Sequence, residues 1–102
     1  MTSGVLRTTD TVLFTDLVGF TEFTDAFGDA AAVEVLDVQS AIAGRALMDA
    51  RGRLVKEIGD GLMFWFADPD PALATATSIL RAIDDARSDG HFQLGIRMGM
   101  HL

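Results

Sequence analysis

The sequence predicts an α+β sandwich, with helices on one face of a mainly antiparallel sheet. Three observations carry that prediction. Short apolar and β-branched runs alternate with two long stretches of helical spacing. One tight turn signal, Asp60-Gly61, joins two of the runs into a hairpin. The length of 102 residues, 49% apolar, suffices for one domain with a modest core. The predicted order is β-αα-β-β-α-β.

Each element has its own signal. Residues 11–15, Thr-Val-Leu-Phe-Thr, form a short buried strand. Thr21 is placed to cap a short helix that Gly28 stops near Phe27. Asp29 then caps a long helix over residues 30–50, ended by Gly52. Val33, Leu36, Ala43 and Leu47 are its expected buried stripe, widened by Val35, Val38 and Ile42. Residues 53–58 and 62–66 are the hairpin arms. Asp70 suits the cap of a third helix, with Pro71 at its first position and Leu73, Ala76, Ile79, Leu80 and Ile83 facing the core. Ser88-Asp89-Gly90 ends it, and the last strand follows.

Topology follows from connection rules. The helical crossover from strand 1 to strand 2 should be right-handed and leave those strands parallel. Strand 3 runs back antiparallel, and its Leu62-Met63-Phe64-Trp65-Phe66 is apolar on both faces, which places it centrally beside strand 1. Helices cover one face; the other, with Met63 and Trp65, is expected to need a cover from further chain or a second subunit. Leu94, Ile96, Met98, Met100 and Leu102 share one face of the last strand, and Gly95, Arg97, Gly99 and His101 the other. That strand stops on an apolar residue in mid-pattern, so a longer parent chain is expected.

Composition narrows the function. The formal net charge is −7, which disfavours nucleic acid. Residues 8–44 hold seven acids and no Lys or Arg. Most of those acids read as solvated surface. The absence of Cys removes thiolate metal sites and Cys nucleophiles and agrees with a reducing compartment. No apolar run approaches a membrane span, and Met1-Thr2-Ser3-Gly4 starts no leader, so a cytoplasmic location is expected. His91 and His101 read as a loop and a strand-end residue, with no cluster around them.

Two carboxylates gain meaning from the topology. Asp16 lies just past the C-terminal end of strand 1, and Asp60 in the turn at the C-terminal end of strand 2. Parallel strands bring those ends to one edge of the sheet. Asp60 also reads as a mere turn residue, and Asp16 as a loop cap. As neighbours without a nearby cation, they repel unless one holds a proton. A divalent ion resolves the repulsion, and hard oxygen ligands suit Mg²⁺ or Mn²⁺ carried with phosphates. The free amides at Gly19, Phe20 and Thr21, where a helix starts, suit phosphate oxygens. Lys56, the one lysine in the chain, shares a strand face with Leu54 and Ile58 and reads as a donor to a ligand or partner, or as an edge lysine reaching water.

Three stretches then carry a family resemblance. Phe14-Thr15-Asp16-Leu17-Val18-Gly19-Phe20-Thr21 resembles the metal-binding signature of class III adenylate and guanylate cyclases. Gly52-Arg53-Leu54-Val55-Lys56-Glu57-Ile58-Gly59-Asp60-Gly61 resembles their second signature. Gly95-Ile96-Arg97-Met98-Gly99-Met100-His101 resembles their fourth strand. The resemblance runs from about Thr11 to Leu102 and matches the N-terminal portion of the catalytic domain, so residues 1–102 are expected to be a truncated cyclase domain. It implies a ferredoxin-like, polymerase-palm-type fold. It implies two ions, Mg²⁺ or Mn²⁺, on Asp16, Asp60 and the Leu17 carbonyl, with Asp16 and Asp60 catalytic. It implies phosphates on the amides of Gly19, Phe20 and Thr21, and a base-reading role for Lys56 that favours ATP over GTP. The implied reaction turns ATP into cyclic AMP and pyrophosphate in a homodimer.

The family's transition-state Asn and Arg, its second base-reading residue and its dimerisation arm lie beyond the matched region. Turnover by these residues alone is therefore expected to be low, since losing one such charge commonly costs about 10²–10⁵ in rate. A non-catalytic half-domain that binds nucleotide, metal or a dimer partner is the alternative. A diguanylate cyclase is disfavoured, because the turn reads Ile58-Gly59-Asp60-Gly61-Leu62 where that family has Gly-Gly-Asp/Glu-Glu-Phe.

Overall fold

The computed structural model describes residues 9–48 and 50–102. The leader reading at residues 1–4 and the position of residue 49 in the long helix lie outside them. The elements are β1 (Thr11–Val18), α1 (Phe20–Phe27), α2 (Asp29–Met48), β2 (Arg53–Ile58), β3 (Gly61–Phe66), α3 (Pro69–Ser88) and β4 (Gly95–His101). The predicted order β-αα-β-β-α-β is therefore the observed one. The four strands form one sheet in the order β2-β3-β1-β4, and every adjacent pair is antiparallel. β1 and β2 run the same way, and β3 lies beside β1, both as expected.

Alternation along the central strands builds the core. Thr11, Leu13, Thr15 and Leu17 of β1 and Leu62, Phe64 and Phe66 of β3 are buried on one face. They meet Val35, Ile42, Ala43, Ala72, Ala76, Ile79 and Ile83 from the helices, together with Phe92 and Leu94. The other face carries Val12, Phe14, Asp16 and Val18 of β1 and Met63 and Trp65 of β3, none of them buried. Among the described residues no helix is long and apolar enough to cross a membrane.

Several local expectations are corrected. β1 continues to Val18, so Asp16 stands inside the strand rather than just past it. α1 is preceded by Gly19 in the left-handed region (φ 76°), with no side-chain cap, and Thr21 is already helical. α2 begins at Asp29 and ends at Met48. Its buried stripe is Ala32, Val35, Gln39, Ile42 and Ala43, while Val33 is exposed. α3 starts two residues early, with Asp68 at the cap position and Pro69 following; Ala72, Thr75, Ala76, Ile79 and Ile83 are buried, and Leu73 and Leu80 face outward. In both helices alanines share the buried positions with Val35, Ile42, Ile79 and Ile83.

The hairpin is also shifted. Ile58 pairs with Gly61, so its two-residue turn is Gly59-Asp60, and Gly59 supplies the positive φ of 59°. Gly61 is needed for another reason: a Cβ there would sit 3.1 Å from the Thr15 carbonyl. Gly52 has less room still, since a Cβ would strike the buried Phe66 ring. β2 departs from simple alternation by a bulge between Leu54 and Lys56. Leu54 pairs with Phe64, whereas Lys56 pairs with Met63 and Glu57 with Leu62. Lys56 therefore shares the open face with Arg53, Met63 and Trp65, not the face of Leu54. The Arg53 guanidinium lies 4.9 Å from the Trp65 ring centre on that face.

Candidate functional site: a carboxylate pair at a sheet edge

β1 presents Asp16 on the open face, one position before the buried Leu17. Antiparallel pairing of Thr15 with Leu62 brings the start of β3, and the turn before it, alongside the end of β1. Asp60 thus arrives next to Asp16 and Leu17 across 43 residues of sequence. The Leu17 N–H donates to Asp60 Oδ2 at 3.0 Å. In an antiparallel strand the N–H and C=O of one residue point to the same side, so the Leu17 carbonyl also faces the Asp60 edge. From α2, the buried Gln39 donates through Nε2 to the Asp60 carbonyl oxygen at 3.3 Å. Asp60 is therefore held at its side chain by β1 and at its backbone by α2.

The two carboxyls share a hydrogen bond, and their titrations separate accordingly. Asp16 is held below the usual carboxylate range, first by that bond from Asp60 and then by Arg97. Asp60 is pushed up by burial and by the Asp16 carboxylate. Of the two, Asp60 is the acid that keeps a proton to the higher pH, as expected where one of two adjacent acids is the more buried.

A cation does lie near Asp16, contrary to expectation. β4 pairs with β1 so that Arg97 stands opposite Asp16, and its Nη2 lies 2.8 Å from Asp16 Oδ2. The pair is solvent-accessible, with the side chains 69% and 49% exposed, so its strength is modest. Arg97 and Gln39 are the site residues that sequence reasoning missed. Gln39 had a signal, one polar side chain in an otherwise apolar helical stripe. Arg97 lies 81 residues from Asp16 and had only its strand face to suggest it.

Asp16, Leu17, Gly19, Phe20, Thr21 and Asp60 line one groove at this edge, with Arg97 and Glu22. The first amides of α1 open into it, because no side chain caps that helix. Lys56 is not among the lining residues; it stands on β2, opposite Met63. Among the described residues, no set of three or more His, Cys, Asp or Glu side chains is placed to hold a metal. The donors present are two carboxylates and a backbone carbonyl, all hard oxygens. That set fits a divalent ion that keeps water or phosphate in its remaining positions, as Mg²⁺ does, and does not fit a closed all-protein site.

Comparisons with known proteins bear on the fold that carries this groove. No protein-family model matches the chain. A pH-sensitive adenylate cyclase of Mycobacterium tuberculosis is 32% identical over 92 residues, which is 88% of this chain and 22% of that protein. An adenylate cyclase of Anabaena cylindrica is 32% identical over 87 residues, 83% of this chain and 17% of that protein. The chain thus spans about a fifth of the curated relatives it matches. Among solved structures, the adenylyl cyclase CyaB of P. aeruginosa superposes with a TM-score of 0.80 at 23% identity, over 89% of this chain and 54% of that one. The guanylyl cyclase domain of the RhoGC fusion protein of Blastocladiella emersonii gives 0.80 at 19% identity, over 90% and 58%. The resemblance to class III nucleotide cyclases holds in sequence, and the fold is that of their catalytic domains.

Proposed function

We propose that this chain is the metal- and nucleotide-binding part of a nucleotide cyclase domain that converts ATP to cyclic AMP and pyrophosphate. One observation carries the reading: Asp16, Asp60 and the uncapped amides of α1 line a single groove on a cyclase-type sheet. Two ions, Mg²⁺ or Mn²⁺, would be held by Asp16, Asp60 and the Leu17 carbonyl. They would supply the charge that lowers the barrier to attack by the ribose 3′-oxygen on the α-phosphorus. In that step the 3′-hydroxyl loses its proton, a new O–P bond closes the ring, and the bond to the pyrophosphate oxygen breaks.

The residues of this chain bind and orient. Asp16 and Asp60 provide the negative charge. The Leu17 N–H and Gln39 fix the direction of Asp60. The amides of Phe20 and Thr21, with the backbone at Gly19 free to come close, receive phosphate oxygens. Arg97, once an ion takes over the Asp16 charge, is free to turn to the same phosphates. Lys56 stands apart from the groove on the open face and is assigned to the base, with ATP preferred over GTP.

The site is half of one. The resemblance puts the transition-state Asn and Arg of the family beyond the matched region, so turnover by this chain alone is expected to be low. The unburied face with Phe14, Val18, Met63 and Trp65 is assigned to contact with the rest of the domain and with a second subunit in a homodimer. The test is a longer chain that continues past Leu102, incubated with ATP and Mn²⁺. Cyclic AMP formation that Asp16→Ala abolishes supports the reading; no product, with Asp16→Ala behaving identically, would falsify it.

The Asp16–Arg97 ion pair supports a second reading, because it satisfies Asp16 without any metal. Under it the chain is a non-catalytic partner half. Calorimetric titration with Mn²⁺ separates the two. Binding that Asp60→Asn removes favours the cyclase reading, and no binding with or without ATP favours the partner half.

A further inference from the structure

Beyond the first turn of α1, a cavity of about 470 Å³ lies between α1, α2 and the α3–β4 connection. Helical spacing builds two of its walls. Phe23 and Phe27 stand four residues apart on α1, and Ala31, Glu34, Val35 and Val38 stand at i, i+3, i+4 and i+7 on α2, so each set shares one helix face. The connection makes the third wall. Gly90 ends α3 with a φ of 76°, the His91 N–H donates to the Ala86 carbonyl at 2.8 Å, and Phe92 is buried just beyond. Backbone hydrogen bonds therefore fix that wall before any ligand arrives.

The chemistry of the lining is one-sided. The Phe23 and Phe27 rings lie together, with centroids 4.9 Å apart and planes tilted by 40°, and they give one side an aromatic surface. Glu34 is the one carboxylate on the lining, and no Lys or Arg joins it. Among the described residues Glu34 has no ion-pair partner. The remaining side-chain surface from α2 is aliphatic. Aromatic rings attract a cation through their quadrupole, and a single carboxylate adds to that attraction. One carboxylate supplies too few oxygens for a hydrated metal ion, which would also have to leave its water for hydrocarbon. A cation that carries its own alkyl groups meets neither objection.

We propose that this cavity binds a compact organic cation of the alkylammonium or quaternary ammonium class. Its charge lies against the Phe23 and Phe27 rings and the Glu34 carboxylate, and its alkyl groups lie along Ala31, Val35 and Val38. The volume suits a small ligand. The cavity shares no residue with the carboxylate groove, so the proposal does not rest on the cyclase reading.

The test uses the purified chain, ¹⁵N-labelled, titrated with choline at constant ionic strength and at about pH 8, above the ordinary range of imidazoles. The neutral control is 3,3-dimethyl-1-butanol, which has carbon in place of the choline nitrogen. Amide shifts are expected at Phe27, Ala31, Glu34 and His91 and not at Leu17 or Thr21. The neutral control should bind at least about fivefold more weakly than choline. Phe27→Leu and Glu34→Gln change exposed side chains, so the fold should survive, and each should weaken choline binding about threefold to tenfold. Asp16→Ala should leave it unchanged. The proposal is overturned if no amide of the cavity shifts at millimolar choline, if the neutral control binds as well, if both cavity variants bind normally, or if the shifts fall instead on Asp16, Leu17 and Thr21 of the carboxylate groove.

Discussion

β1 and β2 each contribute one half of the carboxylate pair, and they are opposite kinds of strand. β1 has a neighbour on both sides and buries every second residue; β2 is an edge strand, bulged at Val55, with no buried residue at all. Asp16 is therefore placed by a complete ladder. Asp60 is placed by the hydrogen bonds it accepts, from the Leu17 amide and from Gln39, in the turn that joins β2 to β3. A site assembled this way has one fixed half and one half that must be tied down, and the ties are as informative as the ligands.

The largest expected effect breaks the strand that the two halves share. Phe64 is 0% exposed at the centre of β3, and Phe64→Ala should lower folding stability by about 3–5 kcal/mol, read as a reduced urea midpoint. A loss below about 1 kcal/mol would mean that the helices do not depend on β3 for their packing. Next is the entry to β2. Gly52→Ala forces a methyl against the Phe66 ring and should cost about 1–3 kcal/mol, although β2 beyond it is exposed throughout.

Gln39→Leu sharpens the comparison, because it loosens only the β2 side. Stability should change by less than about 1 kcal/mol, while Mn²⁺ affinity falls about tenfold. Equal affinity would show that the Leu17 amide alone suffices to aim Asp60. Mn²⁺ affinity should also depend on pH through Asp60. Its pKa is raised and an ion must displace its proton, so affinity should climb as pH rises through and above the ordinary carboxylate range, then level off. An affinity flat with pH there would place the proton elsewhere. The smallest effects lie at the surface. Ile58→Thr, at a residue 61% exposed, and Arg97→Ala should each shift stability by no more than about 0.5 kcal/mol. Arg97→Ala should meanwhile strengthen Mn²⁺ binding in the absence of nucleotide, since the cation that competes for Asp16 is gone.

Much of this was legible in the chain, and what was not has physical reasons. Strand 3 as the apolar partner of strand 1, and the common direction of strands 1 and 2, follow from apolar residues at every position of strand 3 and from crossover handedness, both of which are local or topological rules. The meeting of Asp16 with Asp60 came from that topology. The bulge at Val55 did not, because no residue type announces it, and with it went the face of Lys56. The turn moved by one residue because Gly59 and Gly61 flank Asp60 symmetrically; only the crowding of Gly61 against the Thr15 carbonyl distinguishes them. The helix stripes include Ala32 and Ala72, which a ranking by hydrophobicity passes over in favour of larger neighbours such as Val33 and Leu73. Arg97 depended on β4 lying beside β1, a pairing with no signature shorter than the whole fold.

The hydrogen bond from the Leu17 amide to Asp60 has an evolutionary consequence. Its donor belongs to the main chain, so nineteen of the twenty amino acids would supply it equally well at position 17. Selection on the buried side chain there is free to follow packing alone, without touching the alignment of the acid. Only proline would delete the donor, and proline is also the residue that a central strand already rejects. The part of the site that cannot be replaced residue by residue is also the part that mutation has the least opportunity to erode.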